Sequence, residues 1–162
     1  MPRLAERPFG LLVVVPCGKA KIWARNPQAG PTAAADAYVG APFIVNRRYA
    51  ELAGGDWVIL SAEHGFLRPA DVVPGPYETT FKRQSTNPIG PGALREQVEQ
   101  LGLGHYGEVI GLGGKEHRAA IEAAFEGTRC GSVSLSPGCL SERRWQPPSR
   151  PPKKRPLKRR HP

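Results

Sequence analysis

The chain has 162 residues, with 23 Lys+Arg against 14 Asp+Glu and a formal net charge of +9. That length suits one domain with a sizeable core, and a composition of 40% hydrophobic and 23% charged residues argues against wholesale disorder and against a membrane protein. The longest apolar stretch, Phe9–Val15, is far below the ~20 residues of a membrane helix, and Pro16-Cys17-Gly18-Lys19 stands where a signal peptide would carry a small-residue cleavage site.

The charge is unevenly spread. Ser141 to Pro162 holds nine basic residues and one acidic, Glu142, or +8, together with six of the 18 prolines. The first 140 residues carry 14 basic and 13 acidic residues, or +1. The sequence therefore divides into an α/β domain over 1–140 and a disordered Pro/Lys/Arg-rich tail over 141–162. Within the tail, Lys153, Lys154, Arg155, Lys158, Arg159 and Arg160 are candidates to hold a nucleic-acid backbone electrostatically, a contact that would weaken steeply with salt. A merely solubilising arm is the plainer alternative.

Three cysteines, Cys17, Cys130 and Cys139, make an odd count that fits a reducing cytoplasm better than a disulfide scaffold. No Cys-x-x-Cys or His-x-x-x-His spacing is present, so neither a metal nor another cofactor is expected.

In chain order, the continuous apolar run Leu11–Val15, bounded by Gly10 and Pro16, predicts a central strand covered on both faces. A Gly/Pro/Ala-rich loop follows to about Thr32. Pro42 opens a helix through Phe43, Arg47 and Ala50 that ends near Gly54. Asp56–Ser61 reads as a second buried strand. Leu67 to Ile89, punctuated by prolines, reads as a long structured loop, a kind of segment that often carries function. Leu94, Val98 and Leu101 predict an amphipathic helix from about Gly92 to Leu103. Glu108–Leu112 is a third strand. Ala120, Ile121, Ala124 and Phe125 mark a helix from about Lys115 to Glu126, and Ser132–Leu135 a short fourth strand. Alternating strands and helices predict a single three-layer α/β domain with a mostly parallel central sheet.

Ligands of open parallel sheets bind outside the carboxyl ends of the strands, and three polar clusters begin where predicted strands end. In the first, Gly18 permits close backbone approach, and Lys19 and Lys21 offer charge to a phosphate or other anion. Cys17 beside them would gain thiolate character, although spacing identifies no His partner for it. The plainer reading is a buried Cys and a solvated basic loop.

The second cluster, Ser61-Ala62-Glu63-His64-Gly65, sets a carboxylate beside an imidazole, a pair that can orient a water or move a proton. It is equally an ordinary polar turn from which Phe66 and Leu67 return to the core. Tyr77-Glu78-Thr79-Thr80 adds a ring that either stacks on a base or covers the core. In the third, Gly111-Leu112-Gly113-Gly114-Lys115-Glu116-His117, Gly114 and Lys115 open a helix whose N-terminus suits an anion. It lacks the spacing of a P-loop.

Pro16 to Lys21, Ala37-Tyr38-Val39-Gly40 with Pro42-Phe43, Ile59 to Pro69 and Pro76 to Thr80 together resemble an uncharacterised family related to the peroxide-stress protein YaaA, some members of which are encoded near tRNA-guanine-transglycosylase-like enzymes. The resemblance runs from about Leu11 to Phe125. It implies an α/β architecture in the distant neighbourhood of uracil-DNA-glycosylase-like domains, and a role near DNA damage, oxidative stress or modified bases. It also directs attention to Tyr38. The glycosylases' own water-activating Gly-Gln-Asp-Pro-Tyr and later His-Pro-Ser blocks are absent from this sequence.

The leading expectation is a nucleic-acid-directed protein, binding DNA rather than RNA, that recognises a base at the sheet edge. As an N-glycosylase-like hydrolase it would use Glu63 or Glu78 to orient water and His64 to stabilise developing charge, with Cys17, Gly18, Lys19, Lys21, Tyr38, Ser61, Tyr77, Gly114 and Lys115 on the substrate. A free nucleotide- or nucleobase-handling enzyme and a non-catalytic DNA-binding stress protein are the alternatives.

Overall fold

The computed structural model describes residues 10–137. The proposed tail, 141–162, lies outside them. In chain order the elements are β1 (Leu11–Pro16), α1 (Ile22–Arg25), β2 (Thr32–Ala33), α2 (Ala34–Ala37), α3 (Ala41–Leu52), β3 (Asp56–Ser61), β4 (Gly65–Leu67), β5 (Val72–Val73), α4 (Pro91–Leu101), β6 (Glu108–Gly113), α5 (Lys115–Phe125) and β7 (Ser132–Pro137).

Five strands form one sheet in the order β4-β3-β1-β6-β7. All neighbours are parallel except β4, which folds back antiparallel on β3. β1 lies at the centre, with Val14 opposite Val58 of β3 and Val13 opposite Ile110 of β6. This position explains its unbroken apolar run: Leu12, Val13, Val14 and Val15 are all 0% exposed, because successive side chains enter opposite faces and both faces are covered.

Leu12 and Val14 pack with Val58, Leu60, Leu94 and Val98 of α4, and Ile121 and Phe125 of α5. Val13 and Val15 pack with Ile59, Trp23 of α1, and Phe43 and Ala50 of α3. The result is an α/β domain in three layers, with α4 and α5 on one face and α3 on the other.

Helix ends follow local chemistry. Pro42 and Pro91 sit in the first turns of α3 and α4, where a missing N–H costs nothing. Gly102, at φ 69°, closes α4 in the left-handed conformation.

The expected elements are present, and the two segments read as loops contain additional short ones. The stretch after β1 holds α1, β2 and α2, and Thr32-Ala33 pairs antiparallel with Val72-Val73 from the proline-rich segment. Strands of two or three residues bury too little to leave a periodic signal, so β2, β4 and β5 escape a pattern search.

The order of the strands matters for function. From β1 the chain crosses by α3 to β3 on one side, whereas from β6 it crosses by α5 to β7 on the other, over the opposite face. The edge outside the carboxyl ends of β1 and β6 is therefore the topological switch point, the usual ligand position of such sheets.

Candidate functional site

The three polar clusters lie at the carboxyl ends of β1, β3 and β6, and parts of all three meet. Cys17 prolongs the pairing of β1, donating its backbone N–H to the Leu60 carbonyl at 3.0 Å. At the end of β3, Ser61 is 0% exposed. Its Oγ accepts from the backbone N–H groups of Glu63 (3.2 Å) and His64 (3.1 Å), fixing the turn that follows.

Ser61 Oγ also lies 2.7 Å from the Tyr77 hydroxyl, which in turn lies 2.5 Å from the Tyr38 hydroxyl. This chain of hydroxyls ties the proline-rich segment to the sheet edge. Lys21 bridges Tyr38 through the backbone and places its Nζ 4.2 Å from the Tyr77 ring centroid. His64 meets the same ring edge-on at 5.2 Å. Tyr77 is thus held by its hydroxyl, flanked on its ring by Lys21 and His64, and packed against the core face of Val13 and Val15, as the core-covering alternative expects.

The third cluster arrives through His117, in the first turns of α5. Its Nε2 is 3.7 Å from Cys17 Sγ across the switch point. Gly113, at φ 129°, makes this approach possible: a Cβ there would stand 2.9 Å from the His117 Cβ and 3.2 Å from the Pro16 Cβ. Phe81 lies edge-on to the imidazole at 5.1 Å.

Burial governs the protonation of this group. The lysine environment leads the sequence reading to a lowered Cys17 pKa, but desolvation outweighs it and raises the thiol; the Ala62 backbone, the Lys21 charge and the Tyr77 hydroxyl only partly oppose this. Burial lowers His117 to about 4, against the opposing pull of Glu116 and with a further push from Lys82. Tyr38 is raised to about 12 by burial and by the proximity of Cys17, and Tyr77 is raised as well for the same reasons. Around neutral pH the centre is a neutral thiol, a neutral imidazole and two phenols.

Other sequence-predicted residues lie toward the rim. Glu63 is exposed, and its carboxylate accepts a hydrogen bond from the Thr79 hydroxyl. His64 Nε2 is buried with no hydrogen-bond partner among the described residues. Lys19, Glu78 and Lys115 are exposed, with no side-chain hydrogen bond or ion pair among the described residues. Gly18 has room for a Cβ at 3.6 Å from Phe43, so its role does not rest on tight packing. Gly114 serves as the N-cap of α5. Lys153, Lys154, Arg155, Lys158, Arg159 and Arg160 lie outside the described residues.

Sequence reasoning placed His117 in a Gly-rich turn without giving it a role. The missing signal is the adjacency of β1 and β6, which brings residues 17 and 117 together. Among the described residues no group of three or more His, Cys, Asp or Glu is placed to hold a metal ion, and no helix is long and apolar enough to cross a membrane.

Comparison with known proteins gives a family without an activity. The profile of a family of unknown function (DUF6884) matches residues 12–133. The chain is also 43% identical over 114 residues to the uncharacterized protein YfjM of Bacillus subtilis (strain 168), an alignment covering 70% of this chain and 76% of that protein. No solved structure matches.

Proposed function

From a chain that belongs to DUF6884, a family of unknown function, we propose a nucleic-acid-directed protein of DNA-damage or modified-base metabolism that recognises a base at the β1/β6 edge and hydrolyses its glycosidic bond. The observation that carries this reading is the meeting of Cys17, Ser61, Tyr77 and His117, drawn from the ends of three parallel strands and the proline-rich segment, at a topological switch point. The resemblance of Ser61–Pro69 and Pro76–Thr80 to the YaaA-related proteins supports the choice of a base as ligand.

The residues divide the work. Lys21, fixed over Tyr77, and Lys19 at the rim offer charge to a phosphate. Glu63, steadied by Thr79, orients the attacking water, with Glu78 as a second carboxylate on the same rim. His64 contributes a ring nitrogen that a bound group would satisfy. The near-neutral body needs help to hold a polyanion, and the Lys/Arg-rich tail supplies it. A base-handling protein of this kind works in the cytoplasm.

The test is base release from single-stranded DNA carrying uracil, deaminated or oxidised bases, with the whole chain and with residues 141–162 removed. The proposal expects release by the whole chain, with turnover beyond the first base lost in Glu63→Gln. It also expects the truncated chain to bind DNA more weakly and with a shallower salt dependence, by up to ~6 in the logarithmic slope if all nine tail cations contact phosphate. Unchanged turnover of a free nucleotide after truncation, with no release from DNA, would favour the small-molecule alternative.

A further inference from the structure

We propose that Cys17 and His117 form a nucleophile–base pair, by which the hydrolysis proceeds through a covalent bond to Cys17 rather than by direct attack of water. The inference rests on the hydrolytic reading for its substrate, an electrophilic glycosidic carbon, but its geometry stands independently.

Three features distinguish Cys17 from a buried structural cysteine. Its Sγ is 3.7 Å from His117 Nε2, a long hydrogen bond of the kind that tightens when substrate binds. The pair spans the switch point, from the end of β1 to the first turn of α5, with Cys17 partly buried at the edge of the core. And the ring of His117 is held by Phe81 on one side while Gly113 keeps its approach free of a Cβ. Cys130 offers the contrast: its thiol donates to the Ser132 carbonyl at 3.2 Å, and it makes no hydrogen bond to an imidazole among the described residues.

The chemistry balances without a further reagent than water. The Cys17 S–H proton passes to His117 Nε2 as sulfur forms a bond to the glycosidic carbon. The carbon–nitrogen bond to the base breaks, and the base leaves with that electron pair and the proton from His117. Water oriented by Glu63 then attacks the same carbon. The S–C electron pair returns to sulfur, and the proton lost by water returns to sulfur through His117.

The experiment treats the whole chain with iodoacetamide at pH 7.5 and follows each cysteine by peptide mass mapping. Cys17 is expected to react faster than Cys130 although it is the more buried of the two, and His117→Gln should slow Cys17 at least about tenfold while leaving Cys130 within about twofold. Cys17 reacting more slowly than Cys130 in the unaltered protein, or at the same rate with and without His117, overturns the pair. The first comparison needs no variant, so it decides even if His117→Gln fails to fold. On a DNA substrate that the unaltered chain cleaves, Cys17→Ser should lose base release at least about a hundredfold, and quenched unaltered protein should carry a sugar adduct on Cys17. Full release by Cys17→Ser would overturn the covalent route and leave the hydrolase reading intact. Absence of release by the unaltered chain would contradict the hydrolase reading, while the alkylation rates would still decide the pair.

Discussion

The Ser61 Oγ and the Tyr77 hydroxyl lie 2.7 Å apart, joining the end of a buried strand to a segment 16 residues further along the chain. Since Ser61 also receives two backbone N–H groups, this one contact sets both the Glu63–His64 turn and the position of the Tyr77 ring between Lys21 and His64.

Removing the Tyr77 hydroxyl tests that linkage. Tyr77→Phe keeps the ring but takes from Tyr38 its hydroxyl partner and from Ser61 one of three. Stranding part-buried polar groups costs about 1–3 kcal/mol, so urea unfolding should show a lowered midpoint with an unchanged slope. Tyr38→Phe combined with Tyr77→Phe should cost less than the sum of the single changes, because both remove the same hydrogen bond.

Gly113 is expected to be intolerant of a side chain. Its φ of 129° disfavours L-residues, and a Cβ would press on His117 and Pro16 together. Gly113→Ala should destabilise the protein by about 2 kcal/mol or more and displace His117 from Cys17. Gly75→Ala, where a Cβ would meet nothing within 4 Å, should stay within about 0.5 kcal/mol. Urea titrations of the two variants give the comparison.

Stability should fall in mild acid because of His117. Its imidazole drops from the ordinary 6.5 to about 4 in the folded protein, so between those values the unfolded chain binds a proton that the folded chain refuses. Protonation then favours unfolding. The contribution is complete above about pH 6.5 and declines as pH falls toward 4, by at most about 3 kcal/mol at 1.36 kcal/mol per unit. Unfolding midpoints measured from pH 7.5 to 4 should show this slope, and His117→Asn should flatten it.

The long elements were legible from residues alone. Leu11–Val15 and Asp56–Ser61 are strands because both sheet faces are covered, and Leu94, Val98 and Ile121 lie on the inner sides of their helices. In the second cluster, Phe66 and Leu67 return to the core, at 3% and 8% exposure, as the plainer reading of a polar turn expects, while Ser61 beside them organises polar contacts. The pairing of Cys17 with His117 was not legible. It depends on which strands are neighbours, and the strand order β3-β1-β6 is fixed by packing that no local pattern encodes. The protonation state was misleading for a related reason: Lys19 and Lys21 are near Cys17 in sequence, but desolvation, a property of the folded surroundings, has the larger effect.

The central claim is that a base-containing ligand sits at the β1/β6 edge, and the most direct measurement is a crystal structure of the protein soaked with nucleotides and short single-stranded DNA. The account predicts a base at the edge outside β1 and β6, within hydrogen-bonding distance of His64 or Glu63, with its phosphate near Lys21. A ligand bound on another face, or an edge that stays empty at saturating nucleotide and oligonucleotide, would contradict it.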